Sequence, residues 1–294
     1  MTSQLPQTIA LFGEVLMDQF PDGQCVLGGA PFNVAWHLQA FGLAPQFISR
    51  VGKDTPGESI RQAMIDWGMS DARLQIDTDH PTGTVKVTLN RHEPHYEILD
   101  HQAYDFISAD AGTGTFDVFY HGTLATRNKV SAQTLKRLLR THTGKVFIDV
   151  NLRTPWWHKE VVMAWLKQAD WVKLNHEEFA LLSPPYESLP TAMQDFLQAY
   201  RLDVLVVTCA SEGAIALNNK GEFVKVIPDQ PLGIVDTVGA GDAFAAVLLL
   251  GLQRGWLLSD TLARAQAFAS AIVGQRGATV QDPVFYQHFT HAWQ

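Results

Sequence analysis

Beyond residue 116 the chain alternates short apolar runs with longer stretches of helical period, and this alternation constrains its fold more than any other feature. DVFYHG (117–122), KVFIDV (145–150), WVKLN (171–175) and DVLVVT (203–208) read as strands. The stretches around 132–140, 160–168 and 192–200 space their apolar residues as a helix would. Strands separated by helices of this length build a parallel sheet covered on both faces, and near-continuous apolar runs such as VLVV suit strands buried on both sides. Upstream, 8–16 and 46–51 read as further buried strands, and 33–42 and 59–67 as helices that stop at a glycine. Residues 82–105 differ: TGTVKVTLN and HYEIL alternate apolar with polar residues, the pattern of antiparallel strands with one exposed face. Strands AIALN (214–218) and EFVKVI (222–227) precede two long helices, 240–254 and 259–273.

Composition sets the limits within which a function must fit. The 294 residues are 46% hydrophobic and 18% charged, ordinary for a globular chain and wrong for a disordered one. A net charge of −8 offers no general attraction to nucleic acid or anionic lipid, so a phosphate-bearing ligand must be held by a local device. Cys25 and Cys209 cannot form a disulfide framework, and no CxxC pair is present. Glu14 interrupts the first apolar stretch, which lacks the basic start of a signal peptide. The longest apolar run, 243–252, is about half of the roughly 20 residues a membrane span needs, so a soluble cytoplasmic protein is expected.

The most informative stretch is DTVGAGDAF (236–244), where a strand-like segment ending at Val235 gives way to small residues and then to a long apolar helix. Gly239, Ala240 and Gly241 let the backbone turn its N–H groups toward one point at a helix N-terminus. There the amides lack intrahelical partners and carry the positive end of the helix dipole, a setting suited to phosphate oxygens. Asp242 follows in the first turn, where a carboxylate is also simply a favourable helix-start residue. No G-x-x-x-x-G-K-[ST] occurs, and the dinucleotide fingerprint would need glycine where Phe244 stands.

DTVGAGDAF resembles the C-terminal signature of the ribokinase-like (PfkB) carbohydrate kinases, D-T-x-G-A-G-D. GGAPFNVAWHLQAFG (28–42) is similar to the other signature of that family, above all in its fructokinase branch. Between them VGKDTPG (51–57), FIDVNLR (147–153), KLNHEE (173–178) and VVT before Gly213 match in order, so the resemblance spans nearly the whole chain.

The resemblance implies one ribokinase-like domain over 1–294: a three-layer α/β/α fold with a central, mostly parallel sheet and a small β-sheet lid from segments near 15–30 and 82–105. It implies ATP-dependent phosphorylation of a sugar hydroxyl with Mg2+, Asp242 as catalytic base and Gly239, Ala240 and Gly241 as a backbone anion hole. Asp18, Gly28, Gly29 and Asn33 take the sugar-contacting positions, although Gly28–Gly29 also reads as a plain turn and Asn33 as a helix-start residue. Asn151 and Arg153 fall in the substrate and phosphate region; Arg153 reads equally as a phosphate donor or a surface arginine. Lys173, Asn175, Thr208, Gly213 and Gln266 match the nucleotide side. Glu178 matches the residue that organises the divalent ion through water, with the adjacent Glu177 leaving the register open. Asp236 and Gly277 match a monovalent cation site, K+ in several members. Two departures are Ala210, where the family carries a glycine, and Gln266, where many members carry asparagine.

GGAPFN together with DVNLR favours D-fructose, yielding fructose 6-phosphate. The alternatives are 2-keto-3-deoxygluconate, ribose or a nucleoside as acceptor, or a non-catalytic sugar-sensing protein on the same fold. Lys86 and Arg91 are basic groups near the lid that a phosphorylated acceptor would need. Pairing through the lid sheet, a habit of the family, implies a homodimer; nucleic acid and membranes are not expected partners.

Overall fold

In strand β1 (Ile9–Phe12), Ile9 and Leu11 enter one apolar core while Ala10 and Phe12 enter another, as the two-residue repeat of a strand requires. The computed structural model describes residues 8–90, 93–109, 114–228, 233 and 235–293, with the backbone alone at 89, 90 and 93–95. The first third of the chain contains β2 (Leu16–Gln19), β3 (Cys25–Gly28), α1 (Ala30–Ala40), β4 (Gln46–Gly52), α2 (Thr55–Asp66), β5 (Leu74–Asp77), β6 (Gly83–Asn90) and β7 (Glu93–Ile98). Then come β8 (Val118–His121), α3 (Lys129–Thr141), β9 (Lys145–Asp149), α4 (Lys159–Leu166), β10 (Trp171–Asn175), α5 (His176–Leu182), α6 (Leu189–Tyr200) and β11 (Val204–Thr208). The chain closes with β12 (Ala214–Asn218), β13 (Phe223–Val226), α7 (Ala240–Arg254), α8 (Leu258–Val273) and α9 (Pro283–Ala292).

Nine strands form the central sheet in the order β13-β12-β11-β10-β9-β8-β1-β4-β5. Pairing is parallel from β11 through β5, while β12 and β13 are antiparallel. On one face α1, α7 and α8 pack against Leu11, Phe147 and Val206; on the other, residues of α3, α4 and α6 pack against Phe12, Ile148 and Val207. This is the three-layer α/β/α arrangement. Every residue of α7 from Ala243 to Leu250 is buried, so the helix is apolar all round, as one held between two layers must be. Each of its leucines contributes about 1.5–3 kcal/mol by leaving water.

A second, four-stranded sheet of order β3-β2-β6-β7 stands apart from the first. β2 runs antiparallel to β3 and parallel to β6, and β6 and β7 form a hairpin, in line with the alternation read at 82–105.

Several boundaries depart from the sequence reading. The strand expected over 8–16 is two strands in two sheets, because the chain leaves the central sheet at Gly13, whose N–H donates to the Ile48 carbonyl while Pro31 fills the space a side chain would occupy. α1 and α2 begin three or four residues earlier than expected; both carry proline in the first turn, where its missing N–H costs nothing. β5 and α9 were not foreseen. The strand-like segment before Asp236 falls mainly outside the described residues, as does Arg91.

Candidate active site

The parallel strands finish on one edge of the sheet, and polar residues cluster where they do. Glu14 lies two residues past β1, Asp149 ends β9, Asn175 ends β10 and Thr208 ends β11. Register aligns them: Lys173 pairs with Asp149 and Asn175 with Thr208. From β1 the sheet continues through β4 on one side and β8 on the other, so a crevice opens at the carboxyl ends of the strands, where open α/β sheets bind ligands.

The N-terminus of α7 points into this edge. Gly239 holds a left-handed φ of 80°, and a side chain there would overlap Ala278, so only glycine fits. The Asp236 carboxylate ties the loop to its surroundings, accepting from the Val238 N–H at 3.0 Å and the Gly277 N–H at 3.1 Å. The two residues expected together at a cation site are thus neighbours.

Asp242, in the first turn of α7, accepts a 2.8 Å hydrogen bond from Asn33 Nδ2 of α1. Asn33 is buried, and among the described residues its Oδ1 has no partner. Desolvation raises the Asp242 pKa to about 6; the Asp149 charge pushes the same way, while the Asn33 bond, Lys173 and Arg153 oppose it. Lys173 is buried and donates to both Asp149 oxygens at 2.9 Å. A methyl group on Gly241 would lie 3.6 Å from the Lys173 ammonium, so the cation sits directly beneath the loop.

Facing this pair is the small sheet. Asp18 of β2 lies against Gly28, where an added Cβ would stand 3.1 Å from Asp18 Oδ2. Gly29 has φ 111° and caps α1, with no room for a side chain against the Glu14 carbonyl. Burial raises Asp18 to about 6, opposed by Arg153. Arg153 is exposed, yet its charge acts on Glu14, Asp18 and Asp242 alike; Asn151, two residues before it, adopts a left-handed φ of 43°. From β7, Tyr96 overhangs the same region, its phenol raised by burial and then by the charges of Asp18 and Asp236.

On the opposite flank a capping box starts α5: Asn175 Oδ1 accepts from the Glu178 N–H, and Glu178 Oε2 from the Asn175 N–H, each at 2.9 Å. Glu178 Oε1 accepts from the Leu152 N–H at 2.7 Å. Of the two adjacent acids, Glu178 turns inward and Glu177 is exposed. A cleft of about 460 Å³ is lined by Asn175, Thr208, Ala210 and Lys225 among others. Gly213, with φ 88°, has the Val226 carbonyl where a side chain would go. Ala210 holds φ 48°, a conformation that glycine adopts at lower cost. Gln266 donates to Ser270 Oγ on α8 and is not part of the cleft lining.

Sequence reading passed over three residues here. Glu14 left a signal, as a lone acid in an apolar stretch. Asp149 lay inside a recognised motif but had no assigned role, and Tyr96 reaches the site only through the packing of the small sheet.

A helix start built of small residues, a carboxylate of raised pKa in its first turn and a buried lysine below thus meet at the sheet edge of a three-layer α/β fold. The chain belongs to the pfkB family of carbohydrate kinases, whose pattern matches residues 6–284. A fructokinase of Escherichia coli is 30% identical over 273 residues, covering 85% of this chain and 86% of the relative. The aminoimidazole riboside kinase of Salmonella typhimurium is 27% identical over 298 residues, covering 93% and 91%. Among solved structures, the Vibrio cholerae O395 fructokinase in its fructose-, ADP- and calcium-bound form superposes with a TM-score of 0.80 at 24% identity, covering 96% of this chain and 99% of that one. The aminoimidazole riboside kinase of Salmonella enterica, complexed with aminoimidazole riboside and an ATP analogue, gives 0.83 at 23%, with the same coverage. At these identities the structural likeness concerns the fold. The protein is a carbohydrate kinase that phosphorylates its acceptor at the expense of ATP.

Proposed function

We propose that the acceptor is D-fructose and the product fructose 6-phosphate, with Asp242 as general base. The Asn33–Asp242 hydrogen bond carries this reading, because it joins the residue expected at the sugar to the carboxylate expected at the phosphoryl group. Asp242, more basic than an ordinary aspartate, takes the proton from the attacking hydroxyl, a contribution of about 10²–10⁴-fold. The Gly239–Ala240–Gly241 loop presents its backbone to the transferring oxygens, the Ala240 N–H turning to them from a long 3.4 Å contact with the Thr237 carbonyl, and Lys173 adds a cation below. Asp18, Gly28, Gly29 and Asn33 hold the sugar, with Asn151 and Arg153 closing the side toward the phosphate. Asn175, Thr208 and Gly213 border the nucleotide, and Gln266 lies further along α8.

Magnesium, when bound with the nucleotide, neutralises phosphate charge. Among the described residues no three His, Cys, Asp or Glu side chains converge as a metal site, and both Glu178 oxygens already accept backbone N–H groups. That donor set fits an outer role, with Glu178 meeting the ion through water and the phosphates supplying inner oxygens. Asp236 and the Gly277 turn form the corresponding candidate place for potassium.

The small sheet serves as a lid over the acceptor, supported by Tyr96 lying within the fields of Asp18 and Asp236. Among the described residues its outer strands β3 and β7 have no partner on one side, which supports a homodimer through this sheet; light scattering that finds only monomer rejects it. A riboside acceptor is the second reading, favoured by the 27% identical relative.

The test is ADP release from a panel of sugars and ribosides with ATP and magnesium. D-fructose is expected to give the highest kcat/KM, and another acceptor ahead of it rejects the fructose assignment. Asp242→Asn is expected to lose about 10²–10⁴-fold in kcat while still binding the sugar; near-normal turnover removes the base role.

A further inference from the structure

Three buried side chains, Glu14, Tyr104 and Arg127, each leave one polar atom without a partner among the described residues. Glu14 is 3% exposed and its Oε2 accepts nothing; Tyr104 is fully buried and its hydroxyl is free. Arg127 spends Nε and Nη2 on Asp105 and the Leu99 carbonyl, at 2.6–2.7 Å, and leaves Nη1 unused. The three are neighbours. The Arg127 guanidinium lies 5.2 Å from the Tyr104 ring centroid, and a Cβ added at Gly83 would meet both that ring, at 2.8 Å, and the carbonyl of Val15, the residue after Glu14, at 2.6 Å. The Glu14 carbonyl lies 2.6 Å from where a Cβ on Gly29 would stand, so the cluster adjoins a residue expected at the acceptor, and Glu14 also stands in the field of Arg153 and Asp242.

A buried polar group without a partner costs about 1–3 kcal/mol, and more when charged, so such groups are completed by water or by a ligand that displaces it. Their chemistry is complementary to hydroxyls: a carboxylate that accepts, a guanidinium N–H that donates, and a phenol that does either. Their charge selects further. Asp105 already neutralises Arg127, so Arg127 offers a carboxylate or phosphate no net positive charge, and Glu14 repels an anion to the extent that it is ionised.

We propose that Glu14, Tyr104 and Arg127 form a specificity subsite that binds non-reacting hydroxyls of a neutral polyol acceptor and disfavours acidic sugars. This rests on the kinase reading above and names its substrate class.

Kinetics of the full chain with the best neutral sugar of a panel (D-fructose, D-ribose) and with 2-keto-3-deoxygluconate test it. Glu14→Gln and Tyr104→Phe are each expected to raise KM for the neutral sugar about tenfold, the loss of one good hydrogen bond, with kcat and the KM for ATP little changed. Glu14→Gln should also shift the ratio of kcat/KM values toward the acidic sugar. If Glu14→Gln does not fold, Tyr104→Phe decides, since it removes only a hydroxyl. An unmoved sugar KM in the folded variants, with altered melting alone, overturns the subsite, and so does a wild-type enzyme that prefers the acidic sugar. A wild-type enzyme that phosphorylates nothing in the panel instead overturns the functional reading on which the subsite depends.

Discussion

Asn33 and Asp242, 209 positions apart in sequence, share a 2.8 Å hydrogen bond where the first turns of α1 and α7 meet. One helix follows strand β3 of the small sheet and the other begins at the glycine loop 239–241, so this contact ties the two segments together. It also stabilises the charged form of Asp242 against the desolvation that raises its pKa.

The pH profile reads this bond directly. A general base works deprotonated, so kcat/KM should fall on the acid side with a limb near pH 6, where Asp18 titrates as well. Asn33→Ala removes a cause that lowers the Asp242 pKa, so the limb should move to higher pH. A limb that stays in place, measured at saturating ATP, counts against Asp242 as the titrating base.

Gly239 and Gly241 separate folding from chemistry. Gly239→Ala puts a side chain at φ 80° against Ala278 and should cost at least about 2 kcal/mol, seen as a lower Tm. Gly241→Ala meets only ordinary contact with Lys173 and should fold normally, yet crowd the approach to the loop amides and reduce kcat. Equal Tm losses in both variants would contradict this division.

Glu14 should make the protein less stable as pH rises. Its pKa is about 7 in the folded state against 4.5 ordinarily, so the folded form binds more protons between those values and stability falls through that window. Glu14→Gln should therefore raise stability by roughly 2–3 kcal/mol at about pH 8 and change little at about pH 4. Thermal melts at the two pH values check the sign; stability gained at the expense of sugar affinity is what a functional site would show.

Lys173 is the partner of Asp149, and both are buried. Lys173→Gln leaves a buried carboxylate uncompensated and should cost about 3–5 kcal/mol by denaturant titration. It should also move the acid limb upward, because the lysine charge lowers the Asp242 pKa.

Much of this site was legible along the chain because each of its parts is local. A glycine loop before a helix, N-x-x-E at a helix start and strands of continuous apolar residues all act over a few positions. β10, β12 and α7 therefore have the bounds the sequence implied. The turn at Gly13 was invisible, because it depends on Pro31 and the Ile48 carbonyl, which the fold brings to it. Which of Glu177 and Glu178 turns inward was equally invisible, because it depends on the Leu152 N–H, which donates to Glu178.

By itself the sequence determined the layered α/β class, the loop that opens α7 and the identity of the acid beside it, since spacing and residue type act through neighbours in the chain. Only the tertiary structure decided that Asn33 reaches Asp242, that Lys173 lies beneath Gly241, and that Glu14, Tyr104 and Arg127 converge with unused polar atoms. Those relations depend on distance and burial between segments tens to hundreds of residues apart. Desolvation, which sets the carboxylate pKa values, exists only once the layers have closed.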